Sequence, residues 1–357
     1  MAPPKERFDF ASDNTAPICP PAWKALAAAN SSAVVSYGDD EWTRRLVDRV
    51  REIFKTDCEV FVVFNGTAAN ALALAQLCRS FHGVICHEYA HSYTDECGAP
   101  EFFSGGAKLI PLRGDNGKLD RENLQAFLRR QRDVHSPKPR VLSLTQATEL
   151  GTIYRPAELA SLCALAREHS LLVHMDGARF ANAVAALDCA PKEISWEAGV
   201  DVLCFGGTKN GTAAGDLVIF FKKELAHEFD YRMKQAGQLA SKMRFLAAPW
   251  LGLLESSAWV ENARQANACA KQLAEKISAA VGGEPVFPCE ASAVFLRLSS
   301  DLVRALNHRG WRFYKFVEPD VYRLMCSWAT TQEEIDDFAA DVRNCVAATG
   351  NGDKCIA

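Results

Sequence analysis

The feature that most restricts how this chain can fold is a series of short, almost wholly apolar runs separated by helical patterns. Val60-Phe61-Val62-Val63, Val84-Ile85-Cys86, Val141-Leu142-Ser143-Leu144, Leu171-Leu172-Val173 and Val202-Leu203-Cys204-Phe205 lack the polar–apolar alternation of a half-exposed strand. A strand apolar on both sides needs cover on both faces, and helices in the connections provide it. The expected architecture is therefore α/β, a mainly parallel sheet flanked by helices.

The connecting helices are equally readable. Asp39-Asp40-Glu41 opens a helix in which Trp42, Leu46, Val47, Val50 and Phe54 recur at helical spacing. Further helices are expected over the alanine-rich residues 68–81, over polar residues 119–132, and over 156–169 behind Pro156. Residues 108–112 and 217–221 add strands. From about residue 246 the pattern changes to a long helix near 255–281, strands at 292–298, 312–316 and 322–327, and a closing helix near 331–348. Prolines at 3, 4, 17, 20 and 21 mark the start as an extended arm. The expected organisation is an arm over 1–30, a large domain over 31–245 and a smaller α+β domain over 246–357.

A chain of 357 residues, 48% hydrophobic and 24% charged, is long enough to bury a sizeable core. A formal net charge of −4 with scattered basic residues gives no footprint for nucleic acid. No signal-peptide core and no membrane-length apolar run is present, so a cytoplasmic protein without membrane contact is expected. The thirteen cysteines are odd in number and form no Cys-x-x-Cys pair, which favours buried thiols over disulfides or zinc.

Two segments carry the chemistry. Val173-His174-Met175-Asp176-Gly177-Ala178-Arg179 ends a strand in an acid, and Gly206-Gly207-Thr208-Lys209-Asn210-Gly211 places a lysine in the loop after the next strand. These are the two groups a pyridoxal phosphate enzyme needs: a lysine for the cofactor aldehyde and a carboxylate to keep the pyridine nitrogen protonated. Alone, Lys209 reads as a surface lysine and Asp176 as a helix cap; one β-α-β step apart they support each other. Arg179 reads either as a bidentate carboxylate clamp or as the partner of an acid. Gly66-Thr67, between a strand and a helix, forms either a phosphate cradle or a plain turn.

His87-Glu88-Tyr89-Ala90-His91 matches the zinc-hydrolase pattern H-E-x-x-H. That pattern needs a helix and a third ligand, whereas here it directly follows a short strand, and no metal site is expected. His91 serves better as a flat lid over a cofactor ring; otherwise it is an ordinary loop histidine.

At these residues the chain resembles the threonine aldolase/β-eliminating lyase family of fold-type-I pyridoxal phosphate enzymes, in particular the low-specificity L-threonine aldolases. The resemblance runs through Ser12-Asp13-Asn14, Ser36-Tyr37-Gly38-Asp39-Asp40, Asn65-Gly66-Thr67-Ala68-Ala69-Asn70, His91, Thr145-Gln146-Ala147-Thr148-Glu149, Asp176-Gly177-Ala178-Arg179 and Lys209. It implies pyridoxal 5'-phosphate on Lys209, with Asp176 at the pyridine nitrogen, His91 over the ring, and Gly66, Thr67 and Thr208 toward the phosphate. Arg179, Arg323 and Ser12 would bind the substrate carboxylate, and Asp95 the β-substituent. Some relatives carry histidine where this chain has Glu149, so the base for the substrate hydroxyl is His91, Glu149 or a water. The implied reaction is cleavage of L-3-hydroxy-α-amino acids to glycine and an aldehyde, with β-elimination or transamination as alternatives on the same residues. The implied assembly is a homodimer or homotetramer with sites at the dimer interface, where Lys234 would reach a neighbour's phosphate.

Overall fold

The computed structural model describes residues 6–130 and 133–350. Ten strands are present among them: β1 Glu59–Val63, β2 His82–His87, β3 Lys108–Leu112, β4 Lys138–Thr145, β5 Leu172–Gly177, β6 Val202–Phe205, β7 Asp216–Phe220, β8 Ala293–Arg297, β9 Tyr314–Val317 and β10 Val321–Met325. The first seven form one sheet in the order β1-β7-β6-β5-β4-β2-β3. β3, β2, β4, β5 and β6 run parallel. β7 runs antiparallel to both of its neighbours, β6 and β1. That reversal was not readable from apolarity, because a strand buried on both faces looks the same in either direction.

β6 and β7 are buried at every position, as their lack of alternation requires. The helix expected behind Asp39-Asp40-Glu41 is present, and the one expected over 68–81 runs Gly66–Leu77. Asp40 accepts from Thr43 N and opens Glu41–Phe54, and Asn65 accepts from Ala68 N and opens Gly66–Leu77. The expected polar helix is shorter, Arg121–Leu128, and residues 131–132 lie outside the described residues. The expected arm contains a helix, Pro20–Ala28, with prolines at its first positions, where a missing N–H costs nothing. The helix expected near 255–281 is Ala258–Val281, and an unexpected helix, Arg244–Glu255, precedes it across a break at Ser257 with φ +61°.

The second sheet is antiparallel, in the order β8-β10-β9. Helix Ala258–Val281 serves both cores. Trp259 and Ala263 pack with the seven-stranded sheet, while Leu273 and Ile277 pack under the small one. Phe10 also enters the small core, and its carbonyl accepts from Met325 N at 3.0 Å. The N-terminal segment thus passes the small sheet before reaching the edge of the large one.

Candidate active site

The C-terminal ends of β1, β2, β4, β5 and β6 and the start of β7 meet at one edge, the place where open α/β sheets bind ligands. A cleft of about 200 Å³ lies there, with Gly66, Thr67, His91, Asp176, Thr208 and Lys209 in its wall. Six of the expected site residues therefore converge.

Lys209 sits in a short turn, Thr208–Asn210, directly after β6. Asp216, the first residue of β7, holds that turn: its Oδ1 accepts from Gly207 N at 2.8 Å and from Thr208 N and Oγ1 at 3.3 Å. Gly207 has to be glycine, since a Cβ would stand 2.5 Å from the Trp250 ring, itself anchored by Nε1–H on Gly215 O. Asp216 is fully buried, and that burial raises its pKa.

Asp176 faces the cleft from β5. Oδ1 accepts from Ala178 N at 3.0 Å and Oδ2 from Asn70 Nδ2 at 2.9 Å. It is not an N-cap, because the following helix Phe180–Leu187 takes Arg179 at that position. Beneath it His174 is buried between Ser143 Oγ and Cys204 Sγ, and burial pushes its pKa down to about 4.

His91 opens a single turn, His91–Thr94, and its Nδ1 bonds Glu96 Oε1 at 3.0 Å. His87, at the end of β2, has both nitrogens engaged: Nε2 bonds Gly114 O at 3.0 Å and Nδ1 accepts from Tyr89 N at 3.1 Å. The two histidines therefore do not share a helix face, and H-E-x-x-H forms no zinc pair here.

The remaining expected residues form a second group. Arg179 is buried and meets Asp13 through two bonds, Nε–Oδ2 at 2.7 Å and Nη2–Oδ1 at 3.1 Å, while its Nη1 lies 3.7 Å from Glu149 Oε1. Arg179 is thus the partner of acids, with Asp13 on two of its three nitrogens and Glu149 facing Nη1. Arg323, on β10, lies over the Phe316 ring and has a buried Nε with no partner. Burial and the charge of Arg179 lower its pKa, against Glu149, Asp13 and Asp95. Ser12 Oγ accepts from Asn14 N. Asp95 is exposed and accepts from Thr94 Oγ1. Lys234 does not join the chain's own cleft; its Nζ lies 4.7 Å from the Tyr37 ring centroid.

The model of the beta-eliminating lyase family matches residues 9–299. This chain belongs to the beta-eliminating lyase family. Its relatives include a low-specificity L-threonine aldolase of Pseudomonas aeruginosa, 57% identical over 94% of this chain and 96% of that protein. Another, from a Pseudomonas species, is 54% identical over 95% and 98%. Among solved structures, a threonine aldolase of Leishmania major is 26% identical and superposes with a TM-score of 0.89 over 94% of this chain and 99% of its own. A serine palmitoyltransferase of Sphingomonas wittichii, 17% identical, superposes with a TM-score of 0.69 over 96% and 87%, which shows the fold alone. The lyase has the fold of the fold-type-I pyridoxal phosphate enzymes, and among its described residues no helix is long and apolar enough to cross a membrane.

Four residues of this lyase's site went unassigned in the sequence: Asp13, Asn70, Glu96 and Asp216. Asn70 did leave a signal, a polar side chain within a helix whose other buried residues are alanine and leucine. Asp13 has a measurable consequence. Burial acts to raise its pKa, but Arg179 and Lys209 outweigh that and hold it below the ordinary 3.8. Its stabilising effect is thus complete above about pH 4 and is lost as pH falls through the lower folded-state value. Asp13→Ala leaves the Arg179 charge buried and is expected to cost about 3–5 kcal/mol in urea unfolding at neutral pH. A difference under about 1 kcal/mol would mean that Arg179 finds another partner.

Proposed function

We propose that this lyase is a low-specificity L-threonine aldolase that uses pyridoxal 5'-phosphate. It would cleave L-threonine, L-allo-threonine and related L-3-hydroxy-α-amino acids, phenylserine among them, reversibly into glycine and an aldehyde. The observation that carries this reading is one small cleft shared by a lysine amine, a buried carboxylate on the adjoining strand and a histidine. The wall fits the cofactor chemically. Gly66 leaves open a space that a Cβ would fill to within 3.2 Å of Asp216 Oδ2. The first amides of helix Gly66–Leu77 have no acceptor inside the helix and favour an anion, with Thr67 and Thr208 hydroxyls beside them.

When bound, the cofactor supplies a cationic ring that accepts the electron pair released by Cα–Cβ cleavage. Lys209 Nζ would hold the cofactor's aldehyde carbon, and Asp176, whose carboxylate is already fixed by Asn70 and Ala178 N, would keep a proton on its ring nitrogen. His91 covers the ring. Arg323 and Arg179 Nη1, with Ser12 nearby, would bind the substrate carboxylate and so fix the orientation of the substrate in the cleft. His91 Nε2 makes no hydrogen bond within the described residues and takes the β-hydroxyl proton. Glu149 Oε1, buried 3.7 Å from Arg179 Nη1 and without a hydrogen-bond partner, would accept from that hydroxyl. Asp95 faces the β-substituent.

The proposal extends to a homodimer or homotetramer working in the cytoplasm, with Lys234 on the phosphate of a neighbouring subunit. The purified protein is expected to be yellow, and borohydride to fix the chromophore on the peptide containing Lys209. Threonine should yield equal amounts of glycine and acetaldehyde. A colourless protein that binds no added pyridoxal phosphate would sink the reading, and 2-oxobutanoate plus ammonia from threonine would reassign it to β-elimination.

A further inference from the structure

Glu96 is a carboxylate that the reaction just described does not use. Its side chain has no solvent exposure, and one oxygen, Oε2, is buried without a hydrogen-bond partner. A lone acid in such a place is costly unless it holds something. Its other oxygen, Oε1, meets two groups at once: Asn70 Nδ2 at 2.8 Å and His91 Nδ1 at 3.0 Å. The second hydrogen of the Asn70 amide goes to Asp176 Oδ2 at 2.9 Å. The amide orientation follows from chemistry, since turning Asn70 over would aim its oxygen at two carboxylates.

We propose that Glu96 is the positioning residue of His91: held in place by Asn70, it takes the Nδ1–H of the imidazole and leaves the Nε2 lone pair facing the cleft. A neutral imidazole has one donor and one acceptor, and a carboxylate at Nδ1 decides which nitrogen is which. The same division of labour, a base oriented by a buried acid, recurs wherever a histidine must accept a proton from a hydroxyl. The Asn70 bridge also joins Glu96 to Asp176, so the group that takes the proton and the acid at the ring nitrogen share one hydrogen-bonded frame. This inference rests on the aldolase reading only for what the Nε2 lone pair is used for.

The surroundings set the expected titration. The hydrogen bond to Glu96 raises the pKa of His91, burial opposes it, Asp176 and Glu149 add to the rise, and Lys209 opposes it. Burial also raises the pKa of Glu96, helped by the charge of Asp176 and opposed by its bonds to His91 and Asn70. The shift on His91 thus depends first on Glu96. Removing that charge moves the histidine's titration to lower pH, and with it the acid limb of any step that needs His91 neutral.

The experiment is long-range proton–nitrogen NMR of the histidine rings in the 15N-labelled holoenzyme, with His91 assigned by loss of its signals in His91→Phe. Wild type is expected to show neutral His91 carrying its proton on Nδ1. In Glu96→Leu nothing accepts from Nδ1 and the proton should be free to move to Nε2, whereas in Glu96→Gln the amide oxygen still faces Asn70 Nδ2 and His91 Nδ1, so the Nδ1–H form should persist while loss of the charge moves the titration to lower pH. Glu96→Asp keeps the acceptor and should keep the Nδ1–H form. In threonine cleavage, Glu96→Leu should lower kcat about 10²-fold or more with KM changed less than about threefold, and Glu96→Gln should shift the acid limb of kcat/KM downward. Wild-type His91 protonated on Nε2 would overturn the inference even if Glu96→Gln did not fold. An unchanged tautomer in a folded Glu96→Leu protein, or an unchanged acid limb in a folded Glu96→Gln protein, would overturn it as well. If threonine gave no glycine while the Glu96-dependent tautomer was found, the aldolase assignment would fall and this inference would stand.

Discussion

Lys209→Ala is expected to fold, to bind no borohydride-fixable chromophore, and to lose turnover by a factor on the order of 10⁴ or more. The fold should survive because the turn is held through backbone atoms. Asp216 bonds Gly207 N and Thr208 N, and Gly207 packs on Trp250, none of which involves the lysine side chain. The loss should be chemical rather than structural, so the melting temperature should stay near that of wild type while visible absorbance disappears. Retention of a covalent chromophore would place the reactive amine on another lysine, and the cleft would need a different reading.

Asp176→Asn tests the opposite end of the same machinery and should separate binding from chemistry. Both carboxylate oxygens accept, from Ala178 N and from Asn70 Nδ2. An asparagine has only one oxygen, so its amide must face one of those donors, at a cost of about 1–3 kcal/mol in stability. The cofactor should still attach through Lys209. Without a negative charge at the ring nitrogen, turnover should fall about 10²–10⁴-fold. Normal turnover in a stably folded Asp176→Asn enzyme would reduce Asp176 to a structural acceptor.

What could be read in advance follows the range of the interactions. The acid and the lysine were legible because one lies at the end of a largely apolar strand and the other in the glycine-rich turn just after the next, and each signal is contained in a few consecutive residues. The Gly66-Thr67 turn was legible for the same reason. β7 was readable as a strand but not in its direction, since its partners β1 and β6 lie far from it or reverse into it. Pro20 and Pro21 suggested an arm because proline interrupts helices, yet at the first turn it fits one. The helix Arg244–Glu255 was missed because Pro249 stands inside it and proline ordinarily interrupts a helix, whereas Ala258–Val281 was legible from its own spacing. Asp13, Glu96 and Asp216 acquire meaning only through contacts across the fold, with Arg179, His91 and the lysine turn. Nothing in the residues beside them in sequence distinguishes these acids from surface ones.

The pairing of β1 with β7 has a consequence for the order of assembly. Val63 stands opposite Asp216, so the turn bearing Gly66 and the turn bearing Lys209 become neighbours only when the first strand meets the seventh. Such a contact closes a very long loop and is slow to form compared with the local β-α-β steps between. A chain stopped short of it has an acid-tipped strand and a reactive amine but no anion cradle beside them. A ligand that needs all three therefore binds only the completed sheet, and by mass action it draws the last pairing to completion.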